Sequence, residues 1–258
     1  MCKTISVFNQ KGGVAKTTTV TNLGAALAIN GNHVLIVDMD PQANATVSVG
    51  INDEDLETSI YDLLKLEEFK KGRILEGINK TSYDRLSIIP ADISLSNAEI
   101  NLSSVISRET ILSRMLSEIK YDYDYILIDC PPSLGLLSVN ALAASDYLII
   151  PVSTAMFSIK GIKHLINSVN LVRKSINPRL EIMGVLITMY DKRKKISKDI
   201  RESLEEAFKG KVFESVIRVN AQIEYSQENR IPVIHFDDKC NAYEDYINLM
   251  IEVLNHEK

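Results

Sequence analysis

The chain has 258 residues, 45% hydrophobic and 24% charged, with 11 glycines and 7 prolines, a balance that requires a folded core and excludes disorder and low-complexity linkers. No apolar run reaches the roughly 18 residues of a membrane span, and the N-terminus leads directly into an apolar strand and a glycine-rich loop, so a cytoplasmic protein is expected. The net charge of −5 excludes an overall polyanion binder, and the three scattered cysteines, Cys2, Cys130 and Cys240, exclude a disulfide framework or a structural zinc cluster.

Strand-like apolar runs alternate with helix-period segments along the whole length. The runs are Thr4–Phe8, His33–Val37, Leu86–Ile89, Tyr125–Ile128, Tyr147–Val152, Ile182–Thr188 and Val212–Ile217. Between them, Val20, Leu23 and Leu27 mark one amphipathic helix, and Ile162, Leu165, Ile166, Val169 and Val172 mark another. Continuous apolar strands such as Val34-Leu35-Ile36-Val37 suit a sheet covered on both faces. The expectation is an α/β fold, a mainly parallel twisted sheet with helices on both faces, in a single domain spanning residues 1–258. The stretch Ile51–Tyr83, with the acidic cluster Asp53-Glu54-Asp55 and two short helical pieces, reads as a surface insertion.

The first strand is followed by Asn9-Gln10-Lys11-Gly12-Gly13-Val14-Ala15-Lys16-Thr17-Thr18-Thr19, and then by a helix. Small residues between a strand and a helix let backbone N–H groups turn inward around phosphate oxygens, and the helix dipole adds to the attraction. In such a loop Lys16 neutralises β/γ-phosphate charge and the Thr17 hydroxyl ligates Mg²⁺. The second strand runs into Asp38-Met39-Asp40-Pro41-Gln42, and the fourth predicted strand into Asp129-Cys130-Pro131-Pro132. Strand carboxyl ends in a parallel sheet face the ligand crevice, so Asp38, Asp40 and Asp129 are expected beside the loop. There Asp40 orients the attacking water or holds Mg²⁺ through water, and Asp129 holds a Mg²⁺-bound water.

Charge is concentrated between Asp191 and Arg201, where six basic residues face two acidic ones. Lys192, Arg193, Lys194, Lys195, Lys198 and Arg201 form this stretch, with Lys194, Lys198 and Arg201 at one-face spacing on a predicted helix. Such a stripe suits salt-sensitive, sequence-independent contact with DNA phosphates.

The loop departs from the general G-x-x-x-x-G-K-[ST] pattern at Gln10 and Ala15, and with Lys11 ahead of Gly12-Gly13 it resembles the deviant Walker A loop of the ParA/Soj and MinD ATPases. The segments Asp38–Thr46 and Asp129–Gly135 resemble that family's D-x-D-P-Q-x-N-x-T and D-C-P-P-S-L-G motifs. The likeness continues through Asn22-Leu23-Gly24, Gly184–Asp191 and Ala242-Tyr243. It implies a P-loop NTPase fold and a Mg²⁺-dependent ATPase of chromosome or plasmid partition, with Lys11, Lys16 and Asp40 in catalysis. It also implies a nucleotide site at Lys11, Gly12, Gly13, Val14, Ala15, Lys16, Thr17 and Thr18, with Asn220 at the base, and Mg²⁺ near Thr17, Asp40 and Asp129. An ATP-dependent homodimer in which Lys11 reaches the partner's nucleotide, non-specific DNA, a ParB-like partner protein and a nucleoid-associated location are implied too. Arg193 matches an arginine of the family's DNA-binding surface, while Gln222 stands at the place of a second. The alternative is a MinD-like positioning switch on a membrane. Glu244, Asp245, Glu252 and Glu257 in the last helical segment oppose an anionic lipid surface.

Overall fold

The computed structural model describes residues 2–52, 56–155 and 158–256, so Asp53-Glu54-Asp55 and Glu257 lie outside the described residues. Eight strands form one sheet: β1 (Lys3–Val7), β2 (Val34–Asp38), β3 (Asn79–Lys80), β4 (Leu86–Ile89), β5 (Tyr125–Asp129), β6 (Tyr147–Ser153), β7 (Glu181–Tyr190) and β8 (Val212–Arg218). Their order is β3-β4-β2-β5-β1-β6-β7-β8, and among the described residues every pair is parallel except β3 with β4. The seven predicted strands all form, and the two-residue β3 is an addition.

The continuous apolar strands serve both faces, as the expectation required. Leu35 and Val37 of β2 and Ile126 and Ile128 of β5 point into one core, whereas Val34, Ile36, Tyr125 and Leu127 point into the other. The first core is covered by α6 (Ile111–Ser117), α7 (Leu136–Ala144) and α8 (Ile159–Ser175), with Leu112, Leu137, Leu165 and Val169 buried there. The second is covered by α1 (Lys16–Ile29) and α12 (Asn241–Asn255), through Val20, Leu23, Leu27, Leu249 and Val253.

Two sequence expectations are corrected. The first helix is not amphipathic: α1 is buried from Thr18 through Ala28, because α11 (Val233–Phe236) and α12 pack over the side turned away from the sheet. Its many small residues, Gly24, Ala25, Ala26 and Ala28, permit that double burial; a Cβ on Gly24 would already lie 3.2 Å from Ile36. Nor is Ile51–Tyr83 merely a surface insertion. Its α3 (Ile60–Leu64) and α4 (Lys71–Glu76) send Ile60, Leu63, Leu64 and Ile74 into the first core, each no more than 2% exposed. The short helices carry too few turns for a clear period, which hid the core face in the sequence. A capping box at Ser59 and Asp62 fixes the start of α3.

Candidate functional site

Parallel alignment brings the ends of three central strands together. Asp129 on β5 pairs in register with Asp38 on β2 and with Val7 on β1, so the loop after β1 emerges beside both carboxylates. That loop stays open because of its backbone. Gly13 has φ +69°, and Ala15, at the N-cap of α1, has φ +65° in the left-handed region. A methyl side chain cannot cap a helix, so among the described residues the N–H groups of Lys16, Thr17 and Thr18 have neither an intrahelical acceptor nor a capping side chain. These uncapped donors at the positive end of α1 are what an anion requires.

Gly12, Gly13, Ala15, Lys16, Thr17, Thr18, Asp40 and Asn220 all line one cleft of about 880 Å³. Two other predicted residues sit behind or beside it. Val14 is buried, its carbonyl accepting from the Thr188 hydroxyl at 3.2 Å, so only its backbone is placed to serve the loop. Lys11 lines a separate pocket of about 270 Å³ together with Ser158, Gly161 and Ile162 at the start of α8, while its carbonyl accepts from Lys16 Nζ at 3.2 Å.

Electrostatics concentrate at the base of the cleft. Lys16 is 7% exposed; burial pushes its ammonium below the ordinary lysine range, and the Asp129 and Asp40 carboxylates pull it back up. Thr17 Oγ1 donates to Asp129 Oδ2 at 2.6 Å, but the buried Asp129 Oδ1 has no hydrogen-bond partner among the described residues. Burial and the neighbouring Asp38 charge drive Asp129 well above the usual carboxylate range. Asp38 is likewise pushed up, to about 6, by burial, despite accepting hydrogen bonds from the Thr46 N–H and hydroxyl and from the Asp40 N–H. Asp38 thereby ties the loop that carries Asp40 to α2 (Asn44–Ser48), and Asp40, 8% exposed, accepts from the Gln42 N–H at 3.0 Å. Crowded carboxylates, an unpartnered oxygen and a hydroxyl beside them form the donor set that a divalent cation satisfies.

The opposite end of the cleft belongs to β7 and β8. Met189, with φ +53°, Ile217, Val219 and Ile223 supply apolar surface, and Asn220 caps α10 (Ala221–Glu228) by accepting from the Gln222 N–H at 2.9 Å. Sequence reasoning missed several residues here. Gln227 Nε2 donates to Thr18 Oγ1 at 3.0 Å, linking α10 to the phosphate-loop helix across 209 residues of chain. Arg218 also lines the cleft and pins β8 to α12, donating to Asp245 Oδ1 at 2.8 Å and Glu244 Oε2 at 2.7 Å. A polar residue that matters through a distant partner leaves no local periodic signal.

The six predicted DNA-contact residues are not equivalent. Arg193 is held bidentately by Asp191, at 2.9 and 3.0 Å, and Arg201, 27% exposed at its side chain, is bonded to Glu205 and Glu214. Lys192, Lys194, Lys195 and Lys198 are exposed and form no ion pair among the described residues. Lys194 stands at the N-cap of α9 (Lys195–Phe208) and also lines the cleft. The predicted one-face stripe of Lys194, Lys198 and Arg201 is thus closed at its third position by two carboxylates.

Comparison with known proteins places this geometry. Residues 2–182 match the AAA domain family. The chain is 44% identical over 253 residues to the sporulation initiation inhibitor protein Soj of Bacillus subtilis, covering 98% of each chain. It is 39% identical to the chromosome partitioning protein ParA of Caulobacter vibrioides, over 99% of this chain and 95% of that one. Among solved structures, cobyrinic acid a,c-diamide synthase from Mycobacterium smegmatis with bound ADP and magnesium superposes with a TM-score of 0.84 at 31% identity, over 100% of this chain and 96% of that chain. With a phosphate loop, two strand-end aspartates and a full-length likeness of this extent, the chain belongs to the ParA/Soj family of chromosome-partitioning ATPases.

Proposed function

We propose that this partition ATPase works as a nucleotide-gated DNA clamp: ATP and Mg²⁺ bind in the cleft, two ATP-bound subunits close on one another, the dimer holds DNA through its lysine turn, and hydrolysis stimulated by a ParB-like partner releases it. The observation that carries this reading is the continuity of one cleft wall from the phosphate loop at Gly12–Thr18 to Lys194, the first of the exposed lysines at α9. A single ligand spanning that cleft touches both the chemistry and the DNA-binding turn.

In this reading the N–H groups of the α1 first turn and Lys16 hold the β- and γ-phosphates. Thr17 and, through water, Asp129 and Asp40 hold Mg²⁺, whose charge offsets the crowding of buried carboxylates. Among the described residues no group of three or more His, Cys, Asp or Glu side chains forms a metal cage by itself, which suits a cation that arrives with phosphate oxygens as its other ligands. Bound Mg²⁺ would neutralise charge developing on the transferred phosphoryl group. Asp40 positions the attacking water. Lys11, which borders the neighbouring pocket and not the cleft of its own subunit, is suited to reach the nucleotide of a second subunit. That trans contact makes assembly a condition of hydrolysis.

DNA contact then falls mainly to Lys192, Lys194, Lys195 and Lys198, since Arg193 and Arg201 are already occupied by carboxylates. A membrane-binding mode finds less support. Most of the apolar face of α12, formed by Ala242, Tyr246, Leu249, Met250 and Val253, is buried against α1 and β8, so among its described residues Ile251 is the exposed large apolar side chain, too little for a helix that lies on lipid. Among the described residues no helix is long and apolar enough to cross a membrane. The test is ATP turnover measured alone, with DNA, and with DNA plus a ParB-like protein. The expected order is slow, slightly faster and much faster; a rate indifferent to both additions would reject the partition cycle.

A further inference from the structure

Thr17, Thr18, Thr19 and Thr21 stand in the first two turns of α1, and their hydroxyl protons go to different places. A threonine inside a helix commonly returns its proton to the carbonyl one turn back. Thr19 does so to the Ala15 carbonyl at 2.7 Å and Thr21 to the Thr17 carbonyl at 3.0 Å, while Thr17 donates to Asp129. Thr18 departs from the pattern. The carbonyl one turn behind it, that of Val14, already accepts from the Thr188 hydroxyl at 3.2 Å. Among the described residues the Thr18 hydroxyl donates to no protein acceptor; instead it accepts, from Gln227 Nε2 at 3.0 Å.

A hydroxyl has one proton to give, and an amide fixed on one of its lone pairs decides where that proton points. Thr18 keeps 8% exposure and lines the cleft together with Gln227, so the unfilled space beside it is the cleft. The fold holds Gln227 in place for this contact. It lies about two turns after Asn220 on α10, its carbonyl accepts from the Arg230 N–H, and the Ile234 N–H beyond it donates to Asn22, one turn along α1 from Thr18. The segment is thus tied to α1 at two successive turns. We propose that Gln227 is a positioning residue for the phosphate end of the bound nucleotide: by donating to Thr18 it turns the Thr18 proton into the cleft, where a phosphate oxygen accepts it. Without the amide the hydroxyl is free to turn back to the second lone pair of the Val14 carbonyl, which withdraws the proton from the ligand. The inference rests on the reading of the cleft as an ATP site.

The test is a double-mutant cycle read by calorimetry with Mg²⁺ and a non-hydrolysable ATP analogue and, separately, with tripolyphosphate. Gln227→Met keeps the side-chain length and removes the donor; Thr18→Val removes the hydroxyl at nearly constant shape, with Thr18→Ala in its place should valine prevent folding. Gln227 is exposed, so its replacement should leave Tm near the wild-type value. Gln227→Met should bind both ligands about three- to tenfold more weakly, the value of one neutral hydrogen bond. Once the Thr18 hydroxyl is gone, Gln227→Met should add no further loss. Thr18→Ser, which keeps the hydroxyl, should restore both the affinity and its sensitivity to Gln227→Met. Wild-type affinity in Gln227→Met, a loss confined to the analogue, or an equal loss with and without the Thr18 hydroxyl would each overturn the positioning role. A wild-type protein that binds neither ligand would instead overturn the ATP-site reading, and this inference with it.

Discussion

The base of the cleft and the α9 turn carry comparable amounts of charge in opposite physical settings. At the base, Lys16, Asp38, Asp40 and Asp129 are all at most 8% exposed, and each charge is answered by a neighbour or waits for a ligand. At the turn, the lysines stand in water and Arg193 spends its charge on Asp191. Burial makes charge expensive unless it is matched, so the base is a site that a specific ligand completes. Exposed charge costs little and attracts any polyanion, weakly and through salt-dependent forces. In the proposed cycle the contrast separates a nucleotide-specific switch from a sequence-blind grip.

The sharpest way to break this comparison is at Lys16. Lys16→Ala should abolish useful ATP affinity, a loss of about 2–5 kcal/mol from leaving phosphate charge unpaired in a desolvated loop. Calorimetry with ATP and Mg²⁺ checks this, and wild-type affinity in the variant would remove the base of the cleft from the site. Next in size is Asp40→Ala, which should lower phosphate release by about a hundredfold or more while preserving ATP binding. Size-exclusion chromatography should then show a persistent dimer with ATP; a monomer with normal turnover would exclude Asp40 as the water-positioning group.

At the turn, smaller and more uniform effects are expected. Lys195→Glu combined with Lys198→Glu should weaken binding equally across DNA sequences and flatten the salt dependence by ~0.9 per lost contact. ATP affinity should be unchanged, because neither residue lines the cleft. Arg193→Ala should change DNA binding less than either lysine substitution, since its guanidinium is already paired; a larger effect would mean that Asp191 releases it on DNA. The smallest expected change is at Ala15. Replacing this left-handed residue with glycine should relieve about 1 kcal/mol of backbone strain and raise stability, read as a higher Tm. A lower Tm would show that the chain has adapted its loop to the methyl group.

The same contrast explains what could be read in advance. The seven longer strands, the phosphate loop and the strand-end aspartates were legible because each is a local pattern: an apolar run, a glycine pair before Lys-Thr, a carboxylate at the end of a strand. The burial of α1 on both sides was not, since it depends on α12, more than 200 residues later in the chain. The core role of Ile60, Leu63 and Leu64 was masked by acidic neighbours and a helix of one and a half turns. Gln227 and Arg218 acquire meaning only from what the fold places opposite them, Thr18 for the first and Asp245 and Glu244 for the second. The basic turn shows the limit from the other side. Its composition was plain, yet which of its cations are paired was decided by Asp191, Glu205 and Glu214.

The most direct test of the account is DNA binding by the wild-type protein, measured by anisotropy over a range of salt concentrations with ATP, with ADP and without nucleotide. The account predicts tight, sequence-independent and steeply salt-sensitive binding with ATP alone, lost as the nucleotide is hydrolysed. Equal DNA affinity in all three nucleotide conditions would contradict it, because the cleft and the lysine turn would then act independently.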